Sequence, residues 1–132
     1  MSYPYTSAYV PPLPALEVVL RLPDGGSLGP FSALADTGAD ATLVPSAFLE
    51  QLGARPFSGA FLRSQWGERR SIDLFLLDFQ IAEVTLPGIE VAGDLYSREI
   101  ILGRNVLNLL ILLLDGPSQT TDLLTSRPRS LR

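Results

Sequence analysis

The sequence predicts a closed or sandwiched all-β domain. Three observations carry that prediction: the apolar stretches are short, Gly/Pro/Asp turn signals separate them at short intervals, and helical periodicity is confined to two brief segments. The chain has 132 residues and is 46% apolar, enough for one domain with a buried core.

Leu16 to Leu22 is aliphatic and β-branched and stops at Pro23-Asp24-Gly25-Gly26, so it reads as a strand entering a turn. A second strand through Leu28 to Ala35 completes a hairpin that leads into Ala35-Asp36-Thr37-Gly38-Ala39-Asp40. Ala41 to Val44 is a short strand stopped by Pro45, and Ser46 to Leu52 is one or two helical turns ended by Gly53. Phe57 to Gln65 and Ser71 to Phe79 flank Trp66-Gly67-Glu68 as a long hairpin. Ile81 to Leu86 and Ile89 to Tyr96 flank Pro87-Gly88 and read as another. Ile100 to Leu102 is a short buried strand, Gly103 to Leu109 a short helix, and Leu110 to Leu114 a final strand before Asp115-Gly116-Pro117. That last strand is apolar at consecutive positions, the pattern of a strand covered on both faces, and it reads as a strand buried between subunits, a central core strand or the tail of the preceding helix.

Residues 1–14 hold four of the eleven prolines and three of the four tyrosines, and read as an extended arm, weakly ordered on its own, a candidate processing site or regulatory segment. Residues 117–132 read as a flexible polar tail, which leaves 15–116 as the folded domain.

With no histidine and no cysteine, the chain cannot build Ser-His or Cys-His nucleophiles, thiolate or imidazole zinc sites, or disulfides. Its chemistry must come from carboxylates, hydroxyls, arginines or backbone amides; no metal and no cofactor are expected. A net charge of −4 with no basic run argues against nucleic acid as a partner. No apolar stretch reaches the roughly 20 residues of a membrane span, and the first residues do not form a secretory signal. A cytoplasmic location is the expectation, and the lack of cysteine fits a reducing compartment.

Two segments carry the candidate chemistry. Asp36-Thr37-Gly38 places a carboxylate, a hydroxyl and a glycine directly after a strand; alone, such a triplet is also an ordinary turn. Ile101-Leu102-Gly103-Arg104-Asn105-Val106-Leu107 repeats the apolar-apolar-Gly pattern, with Gly103 standing 67 positions after Asp36; alone, it is an ordinary strand-to-helix corner.

Together, in this order, the two segments resemble those of the retropepsin-like aspartic proteases, the homodimeric family that includes the retroviral proteases. The resemblance spans roughly 16–116 and implies a closed retropepsin-like β-barrel with a flap hairpin and one short C-terminal helix, half of a two-fold dimer. It implies that Asp36 is catalytic and that two copies of it, one per subunit, activate water to hydrolyse peptide bonds. Two adjacent carboxylates sharing a proton can act as base and acid in turn, because like charges held close split their titrations. A single Asp-Thr-Gly then requires a second copy of the chain. By the same resemblance Thr37 hydrogen-bonds across the dimer axis, Gly38 allows close backbone approach, Ala39 supports the active site beside it, and Asp40 pairs with Arg104 to brace the loop. Gln65, Trp66 and Gly67 fall at the flap tip, although this segment carries one glycine and several charges where retroviral flaps are glycine-rich.

The implied partners are a second copy and a polypeptide substrate, with no nucleic acid and no membrane. The competing readings are a non-catalytic dimerisation or peptide-binding module on the same fold, and a monomeric β-barrel that binds a small molecule.

Overall fold

A computed structural model describes residues 1–63 and 69–129. In chain order the elements are β1 (Ser2–Pro4), β2 (Ala15–Arg21), β3 (Ser27–Ala35), β4 (Thr42–Pro45), α1 (Ser46–Leu52), β5 (Ser58–Arg63), β6 (Arg69–Ile81), β7 (Val84–Asp94), β8 (Ile100–Leu102), α2 (Arg104–Leu107), β9 (Ile111–Asp115) and β10 (Thr120–Leu124). The all-β expectation holds: six strands, in the order β2-β3-β8-β4-β7-β6, close into a barrel through a β2–β6 pairing.

Strand β6 makes the closure possible by dividing one edge between two neighbours. Its first half pairs with β5 (Ser58↔Leu74 to Arg63↔Arg69), and residues near its end pair with β2 (Val19↔Gln80 to Arg21↔Asp78). Closure removes the open edges that a flat sheet of this size would present. Alternation along β2 turns Leu16, Val18 and Leu20 inward and leaves Glu17 and Arg21 outside. Those three meet Ala33, Val44, Leu77, Phe79, Ile81, Ile100, Leu102 and Val106 in one core. Each large side chain so buried contributes about 1.5–3 kcal/mol.

Two of the ladders are parallel, β3 with β8 (Ala33↔Ile100 to Ala35↔Leu102) and β4 with β7 (Thr42↔Val91 to Pro45↔Asp94). Strand β8 therefore lies between β3 and β4, with Leu43 opposite Ile101. The segment joining β3 to β4 must then arch over the end of β8. Helix α1 ends at Gly53, whose left-handed conformation (φ 78°) lets its amide reach Glu50, while Ala54 reaches back to Leu49.

Three sequence expectations are corrected. Pro87-Gly88 is not a hairpin turn: β7 runs through it, and the β6–β7 turn is at Ala82-Glu83, with Ala82 at φ 53°. The Pro-Gly pair is taken up as a bulge, marked by the register shift between Leu77 and Phe79, and the Gly88 amide is satisfied by Asp78 Oδ1 at 2.9 Å. Residues 117–132 are not a tail throughout, because β10 forms there and inserts Leu123 into the core. The 1–14 arm is also anchored: β1 pairs with β10 (Ser2↔Asp122 to Pro4↔Thr120), and β10 pairs with β9. In both cases a partner distant in sequence supplies the order that local composition does not.

Strand β9 is not covered on both faces within one chain. It pairs with β10 alone among the described residues, and Leu113 and Leu114 remain 42% and 48% exposed.

Candidate active site

The arch between β3 and β4 carries Asp36, Thr37, Gly38, Ala39 and Asp40, and three backbone hydrogen bonds and one to a side chain set its shape. The Asp36 amide donates to the Leu102 carbonyl at 3.0 Å, extending the β3–β8 ladder by one rung. The Ala39 amide closes onto the Asp36 carbonyl at 3.2 Å, and the Arg104 amide donates to the Ala39 carbonyl at 2.8 Å. Within the turn the Gly38 amide donates to Asp36 Oδ1 at 2.9 Å, which orients the carboxylate and occupies one of its oxygens. Asp36, Thr37 and Gly38 are all exposed, so the carboxylate sits at the surface on a fixed turn.

Beneath the arch lies Gly103. A methyl group added there would stand 2.3 Å from the Ala41 carbonyl oxygen and 3.1 Å from that of Ala39. Glycine is therefore required by close approach of two backbones. The side chain of Thr42, fully buried, accepts a hydrogen bond from the Gly103 amide at 3.0 Å and donates to Asn105 Oδ1 at 2.6 Å. Asn105 in turn donates from Nδ2 to the Glu90 carbonyl at 2.9 Å, tying α2 to β7. The network joins β4, β7, β8 and α2 under the carboxylate and leaves no member of it unsatisfied.

Arg104 reaches the turn, but not through Asp40. Its Nη1 donates to the Thr37 carbonyl at 2.9 Å, and no ion pair joins it to Asp40 among the described residues. Asp40 is solvent-exposed, and α2 brings the guanidinium to the backbone of the turn instead. The structure thus gathers Asp36, Thr37, Gly38, Ala39 and Arg104 into one unit with Asp40 at its rim. Gln65, Trp66 and Gly67 lie outside the described residues. Thr42 and Asn105 were not singled out from the sequence, although both lie within or beside the two motifs and a buried Thr facing a strand end is a visible polar mismatch.

Beside the carboxylate runs an apolar floor. Leu34 pairs with Ile101, and Ile101 with Leu43, and all three are half-buried. Alternation puts Asp36 on the same side of β3 as Leu34. A cavity of about 630 Å³ opens beyond Leu43, between α1 and β6, with Ser46, Leu49, Phe75 and Asp94 in its wall, but it does not reach Asp36.

Among solved structures, the chain is similar to the protease of simian foamy virus (mac), at 28% identity over 71% of this chain and 91% of that one, with a TM-score of 0.51. It is also similar to a retropepsin-like aspartic protease from Rickettsia conorii, at 16% identity over 80% of this chain and 87% of that one (TM-score 0.56). The retroviral protease-like domain of Ddi1 from Leishmania major matches at 15% identity over 86% of this chain and 91% of that one (TM-score 0.56). No protein-family model and no curated protein sequence matches the chain. The chain has the retropepsin-like fold that the two motifs imply.

Proposed function

We propose that the protein is an aspartic endopeptidase in which Asp36 from each of two identical chains forms the catalytic dyad. The observation that carries this reading is the exposed Asp36 carboxylate, fixed on a turn that is hydrogen-bonded to β8 and α2 and set beside an apolar floor. A lone surface aspartate has no need of such support, whereas two carboxylates that must meet within hydrogen-bonding distance do.

In the proposed reaction one Asp36 is ionised and takes a proton from water as the water oxygen bonds to the scissile carbonyl carbon. The protonated Asp36 of the second copy hydrogen-bonds to the carbonyl oxygen and stabilises the tetrahedral intermediate. Transfer of a proton to the leaving nitrogen then breaks the C–N bond and frees an amine and a carboxylic acid. That proton is the one the first Asp36 took from water, so both carboxylates end as they began and the proton count balances. In this reading Thr37, also exposed, bonds across the two-fold axis.

The second copy has a candidate surface as well. Strand β9 has an unpaired edge among the described residues and exposed Leu109, Leu113 and Leu114 beside it, which a sheet shared between two copies would cover. In this reading the paired strands β5 and β6 act as the flap over an extended polypeptide held by main-chain pairing. No helix among the described residues is long and apolar enough to cross a membrane, and the reading assigns the cytoplasm.

The test is cleavage of unfolded casein from about pH 3.5 to 7.5, the range over which coupled carboxylates titrate, by wild type and Asp36→Asn. Proteolysis that disappears in the variant while both proteins stay dimeric is the expected result. A folded, dimeric wild type that cuts nothing would turn the assignment toward a peptide-binding module.

A further inference from the structure

The segment between β1 and β2 is a closed loop. Thr6 and Leu13 bridge through a pair of backbone hydrogen bonds at 2.9 and 3.2 Å, and the Ala8 amide donates to Thr6 Oγ1 at 3.3 Å. Both ends of the loop are fixed: the Tyr5 amide donates to the Gln119 carbonyl at 2.8 Å, and the Pro14 carbonyl accepts from Ala35 at 3.0 Å. At the tip, the Tyr9 hydroxyl donates to a carboxylate oxygen of Glu99, the residue just before β8. Glu99 is itself held, since its amide donates to Ser97 Oγ at 3.0 Å and its carbonyl accepts from the same hydroxyl at 3.1 Å.

These contacts determine the path of the loop. Pro14 lies on the β2 side of β3 and Glu99 on the β8 side, so the loop must cross β3, a span of about 10 Å for two inter-strand spacings. The core face of β3 is filled by Ala33, Ile100 and Leu102, and Val10 beside Tyr9 is 98% exposed. The crossing is therefore over the outer face, the one that carries Leu34 and Asp36. Glu99 precedes Leu102, whose carbonyl takes the Asp36 amide, by three residues, or about 10 Å of strand.

We propose that Tyr9, tethered by Glu99, is a specificity-determining residue that forms the end wall of the polypeptide groove. The assignment rests on the endopeptidase reading above. An extended chain passing over Asp36 advances about 3.3 Å per residue and meets the phenol ring about three residues from the cut bond. Two-fold symmetry repeats the wall at the other end of the groove. Substrates are then held over about six residues, with small side chains favoured where the ring stands. The hydrogen bond to Glu99 raises the pKa of the Tyr9 hydroxyl, with burial and the nearby negative charge adding to it, so the tether stays protonated through neutral pH.

The experiment maps cut sites in denatured casein by mass spectrometry for wild type, Tyr9→Ala and Glu99→Gln. Expected is a rise of about tenfold in cleavage at sites with Phe, Trp or Leu three residues from the cut in Tyr9→Ala. Glu99→Gln should give a smaller rise at the same position, with other positions unaffected. Identical profiles in active wild type and Tyr9→Ala would overturn the wall. Retention of a casein peptide pool on immobilised Asp36→Asn protein, with and without Tyr9→Ala, needs no turnover. A change in retained peptides confined to bulky distal residues supports the wall even if proteolysis fails, and unchanged retention overturns it.

Discussion

The arch over β8 and the sheet β1-β10-β9 are built to opposite standards. Under the arch the Thr42 hydroxyl, the Gly103 amide, the Asn105 side chain and the Glu90 carbonyl are joined by hydrogen bonds within the same chain, and the backbones approach so closely that Gly103 admits no side chain. In the terminal sheet β9 leaves one edge open, its leucines half in water, and the fully buried Thr121 hydroxyl has no hydrogen-bond partner among the described residues. The first region is complete in one chain. The second carries the exposed apolar area and unpaired backbone that an added strand would cover. On the proposed reading, a carboxylate that meets its twin would need a rigid mount, while a surface that joins two copies would be unfinished in each of them.

That contrast can be attacked from both sides. Gly103→Ala should have the largest effect: the new methyl group cannot coexist with the Ala41 carbonyl, and the arch must move. A loss of about 3 kcal/mol of stability is expected in urea unfolding, together with loss of casein cleavage. Retention of both would mean that the arch is softer than its hydrogen bonds imply. Leu114→Lys should act on association and spare the fold, because Leu114 is half exposed in the single chain. Sedimentation should show the dimer dissociating at concentrations where wild type is intact, with an unchanged unfolding midpoint for the monomer, and an unaltered mass would remove β9 from the shared surface. Thr121→Val should be the mildest change. It replaces an unpartnered buried hydroxyl with a methyl of the same shape, and a gain of about 1 kcal/mol in thermal or urea unfolding is expected. A loss instead would reveal a partner for that hydroxyl in the dimer.

The sequence disclosed most of the barrel because its strands are bounded by local signals. Pro23-Asp24-Gly25-Gly26 ends β2, Pro45 ends β4, and Gly53 ends α1, each through backbone restrictions that act within a few residues. It misled at Pro87-Gly88, where a turn-forming pair is absorbed into β7 because the better-placed turn at Ala82-Glu83 sets the β6–β7 register. The terminal segments were unreadable for a different reason. Nothing local marks Thr120–Leu124 as a strand, and its order comes from β9 and from β1, more than a hundred residues away. At the site, Asp36 and Gly103 were legible as residue types in a recurring order. The Arg104 bond to the Thr37 carbonyl and the Tyr9 tether were not, since each depends on where a folded loop places a side chain.

The pairing of Ser2 with Asp122 has a consequence in time. Closing so long a loop is slow compared with forming the neighbouring hairpins, and during synthesis it cannot begin before residue 124 has emerged. The barrel strands from β2 to β8 can therefore assemble while β1 waits without a partner. If copies join through that last sheet, as proposed, the delay keeps each nascent chain single until β10 has been made, and two half-sites meet only after each barrel has formed.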